Sequence, residues 1–263
     1  MLAVMHCTLS NTTEKWPLNE YYGVIHVMII SHSHKFIFIK SEKTAGTSVE
    51  AALSGFCSGD DVVTPINDYR HNRDENGKFI HQSMNADEFI KLDLPNLQHA
   101  DALTIRSQLP DEVWNNYLKF SIIRNPWDRT ISDFSWKRRQ DPATKPRKRF
   151  YHYLGVPFNE IAQPAKVLHE FIKSDEFVNN DRFYIIDDEL CVDFAIRYEN
   201  LAEDLAEVCK KIGLPAFDLP HLKTGFRQKR HHYSEYFDDE SKAVVAEKHK
   251  NDIRFFGYEF ERE

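Results

Sequence analysis

Residues 35–51, KFIFIKSEKTAGTSVEA, constrain this chain more than any other stretch. Phe36, Ile37, Phe38 and Ile39 form an unbroken apolar run rich in β-formers, as expected of a strand buried on both faces. At Ser41 the character changes. Residues 41–46 are polar and small, and Thr47 and Ser48 can open a helix through Val49, Glu50, Ala51, Ala52 and Leu53. A strand that passes through a tight turn into a helix aims backbone N–H groups at one point. The first helical N–H groups lack partners and the macrodipole favours negative charge there, so such a turn can bind an anion. Gly46 allows close backbone approach, Lys43 adds a positive charge, and Thr44, Thr47 and Ser48 add hydroxyl donors. Alone, the stretch also fits an ordinary strand–turn–helix with an exposed lysine.

A second segment repeats the pattern. Residues 119–123, KFSII, read as another buried strand, and Arg124 stands at its end. Pro126 suits the first turn of a helix, where its missing N–H costs nothing. Ser132 follows Arg124 by eight residues, two turns into that helix, on the face shared with Asp128 and Arg129. An arginine beside a helix start suits bidentate phosphate binding, although Arg124 could instead pair with Asp128 or Glu112. Two strand ends in one parallel sheet lie on the same edge, where ligands of such folds bind. The pair describes a crevice for a molecule with two separated anionic groups.

Composition narrows the alternatives. The chain has 263 residues, 41% apolar and 13% aromatic, enough for a substantial core, and a net charge of −7. The acidic total argues against a general nucleic-acid binder, so anion binding rests on local positive patches. No apolar run approaches the roughly 20 residues of a membrane span, and the first residues lack a basic region followed by an apolar core. Cys7, Cys57, Cys191 and Cys209 are dispersed, which fits reduced thiols and a cytoplasmic location. Residues 1–27 have no clear period and read as a peripheral extension to a single domain over 28–263.

From residue 35 strands and helices alternate, which predicts an α/β fold with a central, mainly parallel sheet flanked by helices. The pattern predicts a short extended piece at 60–65 and a helix within 78–94, capped by Asn85 with Glu88 as its capping-box partner. Helical periods follow at 99–109, after Asp111, and from 127 to about 139. The basic run 137–149 contains two prolines and reads as a loop, solvated or lining an acceptor groove. Further expectations are helices at 166–173, 203–212 and 241–256 and strands at 182–186 and 193–198.

Taken together the two segments resemble those of a known family. Lys43-Thr44-Ala45-Gly46-Thr47-Ser48 looks like the 5′-phosphosulfate loop of sulfotransferases that use 3′-phosphoadenylyl sulfate (PAPS). Arg124-Asn125-Pro126-Trp127-Asp128-Arg129-Thr130-Ile131-Ser132 looks like their 3′-phosphate motif. The order and separation also fit, and carbohydrate-type and bacterial members resemble the chain most. A weaker similarity continues through Tyr198-Glu199-Asn200-Leu201 and Phe256-Gly257-Tyr258. The resemblance implies a P-loop nucleotide-hydrolase-like sulfotransferase fold over about 28–263. Two departures stand out. Glu42 occupies a position where relatives often have proline, and Ala45 replaces a second glycine, tolerable unless a positive φ is needed there.

The resemblance implies sulfuryl transfer to a hydroxyl acceptor. The protein must position donor and acceptor and stabilise charge on the leaving oxygen. Lys43, Thr44, Ala45, Gly46, Thr47 and Ser48 would hold the 5′-phosphate end, with Lys43 on the leaving oxygen. Arg124 and Ser132 would hold the 3′-phosphate, and adenosine 3′,5′-bisphosphate would be the product. On that division Lys43→Ala lowers turnover more than product binding, and Arg124→Ala does the reverse. For the general base, His99 at a helix start is the first candidate, His81 the second and Glu50 the third. Thr224, Gly225, Arg227 and Lys229 are candidates to reach the 3′-phosphate. His32/His34 and His231/His232 are too local for a metal site, and none is expected. The acceptor is expected to be a glycan or glycolipid, without nucleic acid or a membrane span. Two readings compete. A P-loop kinase or NTPase needs GxxxxGK[ST], whereas here Lys43 precedes Gly46. The other is a non-catalytic nucleotide-binding protein of the same fold.

Overall fold

The computed structural model of this chain describes residues 28–58, 60–63, 69–73, 79–83, 101–139, 164–217, 219 and 232–262. At the centre is a sheet of β1 (Met28–Ser31), β2 (Phe36–Ile39), β3 (Val62–Val63), β6 (Leu118–Ile123) and β9 (Phe194–Arg197), in the order β3-β1-β2-β6-β9. Strands β2, β6 and β9 run parallel, with Phe38 opposite Phe120 and Phe120 opposite Phe194. Strands β1 and β3 extend the sheet antiparallel on the β2 side. Helices α1 (Gly46–Ser54), α2 (Ala102–Gln108), α3 (Asp111–Asn116), α4 (Pro126–Arg139), α5 (Pro164–Lys173), α6 (Leu201–Lys211), α7 (Asp239–Lys248) and α8 (Lys250–Phe256) flank it.

The alternation of side chains along β2 explains the two-sided core. Phe36 and Phe38 point to one face and pack with Phe120 and Ile122 against Val49 and Leu53 of α1 and Leu205 and Val208 of α6. Ile37 and Ile39 point to the other, against Ala102 and Ile105 of α2, Phe183 and Tyr184. All four β2 side chains are fully buried, as the unbroken apolar run requires. A third cluster joins Trp127, Ile131 and Phe134 of α4 to Val167, Phe171 and Ile172 of α5 and Val245 of α7. It clamps α4, and with it the start of the second motif.

Two local expectations are corrected, and residues 79–83, which precede the Asn85 cap of the helix expected within 78–94, form β5 (Phe79–Ser83), paired antiparallel with β4 (Tyr69–Arg73) in register Tyr69 to Ser83. The capping signal at Asn85 lies outside the described residues. The expected strand at 182–186 is a 3-10 turn, Asp181–Phe183, followed by β7 (Ile185–Ile186). Asp187 and Asp188, both with positive φ, close a tight hairpin from β7 to β8 (Glu189–Leu190). The single helix expected at 241–256 is two, α7 and α8, meeting at His249.

His249 turns its ring inward at that break. Its Nδ1 lies 2.6 Å from Asp252 Oδ2, and its Nε2 lies 3.4 Å from Nη1 of the buried Arg129. The Tyr184 hydroxyl donates to the other Asp252 oxygen. Burial pulls the His249 pKa below its usual 6.5, and the Asp252 hydrogen bond opposes this without reversing it. The unfolded chain therefore binds a proton at this residue more readily than the folded one. Stability from this source is present above about pH 6.5 and is lost as pH falls through the folded value. Wild-type protein should lose more stability between about pH 7.5 and about pH 5.5 than His249→Gln, which titrates nothing there. Urea titrations of both at each pH check this; equal losses would exclude His249 as the source.

Among the described residues no helix is long and apolar enough to cross a membrane. Among the same residues no group of His, Cys, Asp and Glu is arranged to hold a metal ion.

Candidate functional site

The loop between β2 and α1 is tied at nearly every residue. Ser41 donates its hydroxyl to the Ile122 carbonyl of β6. The Thr44 hydroxyl lies 2.8 Å from the Ser41 hydroxyl and 3.2 Å from the Ser41 carbonyl. It therefore braces the loop from within. Asn180 holds both backbone groups of Glu42: its Nδ2 donates to the carbonyl at 2.8 Å and its Oδ1 accepts from the N–H at 3.4 Å. The Glu42 carboxylate lies 2.9 Å from Nη2 of Arg182, so its charge is paired there.

Lys43 and Ala45 both take φ of +63°. For residues with a Cβ this left-handed conformation costs roughly 1–2 kcal/mol each. The positive φ that would favour a second glycine at 45 is thus present, carried by alanine. Gly46 is required for a different reason. A Cβ there would lie 2.7 Å from Lys40 Cγ and 3.3 Å from the Ser41 carbonyl oxygen. Lys40 runs beneath the loop to Glu50 on α1, Nζ to Oε2 at 2.8 Å, with both side chains buried. Ala45 is the N-cap of α1 and makes no side-chain capping bond. The N–H groups that open α1 are therefore not capped from that position, the arrangement that suits an anion. Ser48 is buried and Thr47 half-buried at this end.

The second corner is built around Arg124 and Asn125, between β6 and α4. Asn125 Oδ1 accepts from the N–H of Trp127 at 3.1 Å and of Asp128 at 3.4 Å, capping α4. The Asn125 N–H donates to Glu199 Oε1 at 2.7 Å, and Tyr258 donates its hydroxyl to Glu199 Oε2 at 3.0 Å. Burial and the Glu199 carboxylate push the Tyr258 phenol far above its usual pKa, so it stays a donor. The corner thus joins β6, the end of β9 and the chain after α8. Arg124 donates from Nε and Nη2 to Asp128 Oδ2 at 2.8 and 2.6 Å and lies over the Tyr198 ring at 3.9 Å. Asp128, of the two acidic partners the sequence offers, is the one it takes. Glu112 lies in the first turn of the separate helix α3.

The two corners touch. Arg124 Nη1 donates to the Lys43 carbonyl oxygen at 2.7 Å. A charge-assisted bond is worth roughly 1.5–3 kcal/mol, enough to offset the cost of the left-handed Lys43. The Lys43 ammonium lies over the Trp136 ring, 4.5 Å from its centroid. Trp136 stands one turn beyond the half-buried Ser132 on α4. The structure therefore gathers Lys43, Thr44, Ala45, Gly46, Thr47, Ser48 and Arg124 at one edge of the sheet, with Ser132 and Trp136 on the helix that leaves it.

Other candidates fare differently. Glu50 is fully buried against Lys40, which removes it as a base open to an acceptor. Lys137, first of the basic run, lies 3.3 Å from Asp133 and bonds the Glu176 carbonyl, so it serves the fold. His99, Thr224, Gly225, Arg227, Lys229 and residues 140–149 lie outside the described residues, as does the side chain of His81. Sequence reasoning missed Asn180 and Trp136. The spacing of Trp136 four residues after Ser132 was the available signal; Asn180 had none, because it comes from a distant irregular segment.

Residues 26–259 match the family model described as "Sulfotransferase family". An uncharacterised protein of Archaeoglobus fulgidus is 32% identical over 114 residues, 43% of this chain and 82% of that protein. Among solved structures, mouse sulfotransferase SULT7A1 complexed with PAP aligns with a TM-score of 0.42 at 15% identity, covering 86% of each chain. A sulfotransferase from Alicyclobacillus acidocaldarius aligns with a TM-score of 0.34 at 14% identity, covering 85% of this chain and 96% of that one.

Proposed function

The chain belongs to the sulfotransferase family, and from that premise we propose that its crevice binds PAPS and passes the sulfuryl group to a hydroxyl on a carbohydrate. One observation carries the reading: the helix-start loop and the Arg124 corner sit on adjacent parallel strands and are joined by the Arg124–Lys43 hydrogen bond. The residues fit the donor. The uncapped N-terminus of α1 suits the 5′-phosphate, and Arg124 keeps two of its five N–H donors beyond those used on Asp128 and Lys43, which suits the 3′-phosphate.

Bound there, PAPS supplies the sulfuryl group: the acceptor oxygen bonds to sulfur as the sulfur–oxygen bond to the 5′-phosphate breaks. Lys43 stabilises the charge that gathers on the leaving oxygen. The N–H groups at Gly46 and Thr47, with the Thr47 and Ser48 hydroxyls, hold the phosphate itself. Thr44 keeps the loop in shape through Ser41. Arg124 and Ser132 select a 3′-phosphorylated nucleotide. A histidine takes the acceptor proton, His99 first and His81 second. The setting is cytoplasmic and the reaction needs no metal.

The test has two stages. Calorimetry should show adenosine 3′,5′-bisphosphate binding more tightly than ATP with magnesium; the reverse order would favour a kinase-like enzyme. Labelled PAPS offered with a panel of glycans should then transfer label to at least one, and failure with all would favour a binding protein. With an acceptor in hand, His99→Ala should lower the rate roughly 10²–10⁴-fold and leave nucleotide affinity nearly unchanged. Unchanged turnover would remove His99 from the mechanism.

A further inference from the structure

We propose that Arg124 is the positioning residue for Lys43, so that one guanidinium both receives the 3′-phosphate and sets the conformation of the lysine at the 5′ end. The proposal rests on the nucleotide reading of the crevice and adds a coupling that phosphate binding alone does not require. The geometry is specific. Nε and Nη2 are committed to a single Asp128 oxygen, and Nη1 reaches across to the Lys43 carbonyl. The side chain is only 9% exposed and its face is covered by Tyr198, so the guanidinium is fixed before any ligand arrives. Its position is in turn set by Asn125, which caps α4 and accepts no freedom from the Glu199 tie on its N–H.

At the other end, the Lys43 backbone is left-handed, and nothing in a lysine side chain favours that conformation. The neighbouring ties act elsewhere: Asn180 holds Glu42, and the Ser41 and Thr44 hydroxyls hold each other. The Arg124 bond acts directly on the Lys43 carbonyl. When it is lost, the backbone at 43 can leave the left-handed region, and the ammonium and the following N–H groups move with it. The donor loop is therefore complete only when the 3′-phosphate ligand is in place as a residue, whatever nucleotide binds.

Ligands that lack a 3′-phosphate separate this role from simple phosphate binding. Calorimetry on the full chain would compare adenosine 3′,5′-bisphosphate with adenosine 5′-phosphate, in wild type, Arg124→Ala and Ser132→Ala. Ser132→Ala should weaken only the bisphosphate. Arg124→Ala should weaken the bisphosphate about a hundredfold and adenosine 5′-phosphate about tenfold, although the latter offers Arg124 no phosphate to hold. Added guanidinium ion at low millimolar concentration should restore part of the 5′-phosphate affinity in Arg124→Ala, which a general loosening of the fold would not permit. If Arg124→Ala fails to fold, Arg124→Lys keeps the charge but loses the planar fork, and should show the same pattern with smaller ratios. Adenosine 5′-phosphate bound equally by wild type and the Arg124 variants would overturn the coupling while leaving the nucleotide reading intact. A wild-type chain that binds neither nucleotide would overturn both.

Discussion

Lys43→Ala is expected to lower the rate of sulfuryl transfer roughly 10²–10³-fold while changing affinity for adenosine 3′,5′-bisphosphate less than about tenfold. The asymmetry follows from when the charge appears. In the proposed binding mode backbone N–H groups at the start of α1 would hold the 5′-phosphate of the product, and the substitution leaves them in place. In the transition state the leaving oxygen gains charge, and an ammonium aimed at it contributes more there than in the ground state. Its ammonium lies over the Trp136 ring, 4.5 Å from the centroid. Single-turnover transfer from labelled PAPS, set beside a calorimetric dissociation constant, measures both quantities. Equal losses in rate and affinity would make Lys43 a binding residue only. Arg124→Ala is no longer the mirror image that the motifs alone suggest. Because Nη1 holds the Lys43 carbonyl, that variant should lose rate as well as affinity.

The second large effect is on stability. Lys40→Ala should destabilise the protein by roughly 3–5 kcal/mol, because it removes the ammonium paired with the fully buried Glu50 carboxylate. Lys40 and Glu50 lie 2.8 Å apart with side-chain exposures of 8% and 0%, so the pair is screened little by solvent. A loss of that size is a large share of the roughly 5–15 kcal/mol that holds a typical domain. The Lys40 stem also fills the space under Gly46, so its removal slackens the loop. Lys40→Met combined with Glu50→Leu should recover most of the stability, since apolar pairs of similar volume often match or exceed buried ion pairs. Denaturant midpoints at constant slope measure this. A loss below about 1 kcal/mol in Lys40→Ala would show that the Lys40 ammonium is not what holds the Glu50 carboxylate in the core. The double variant, stable but with an altered loop, would also tell folding and nucleotide binding apart.

Much of the architecture was legible because the strands are buried on both faces. The unbroken apolar run at Phe36–Ile39 and the strand read at 119–123 are what a covered, parallel region of sheet calls for, and both are strands of it. The junctions after them were marked by Gly46 and Pro126. Legibility failed where local pattern was overruled by packing. Tyr184 and Phe183 are drawn into the core, which turns an expected strand into a 3-10 turn. His249 is drawn toward Asp252 and Arg129, which breaks an expected helix. Residues 79–83 carry few apolar side chains, and their pairing with Tyr69–Arg73 decides their form.

The same division runs through the site. The sequence alone determined where the two strand-to-helix corners lie, which residues form them, and that Lys43 precedes its glycine instead of following it. These are properties of short contiguous segments, and local chemistry fixes them. Only the tertiary structure decided how the corners are joined: Arg124 on the Lys43 carbonyl, Trp136 under the ammonium, Asn180 on Glu42, and Lys40 beneath Gly46. Each of these contacts but the last links residues more than 80 positions apart, and hydrogen bonds carry no signature in sequence spacing at that range. The Lys40–Glu50 pair is near in sequence, yet its meaning depended on burial, which turned a candidate base into a buttress of the loop.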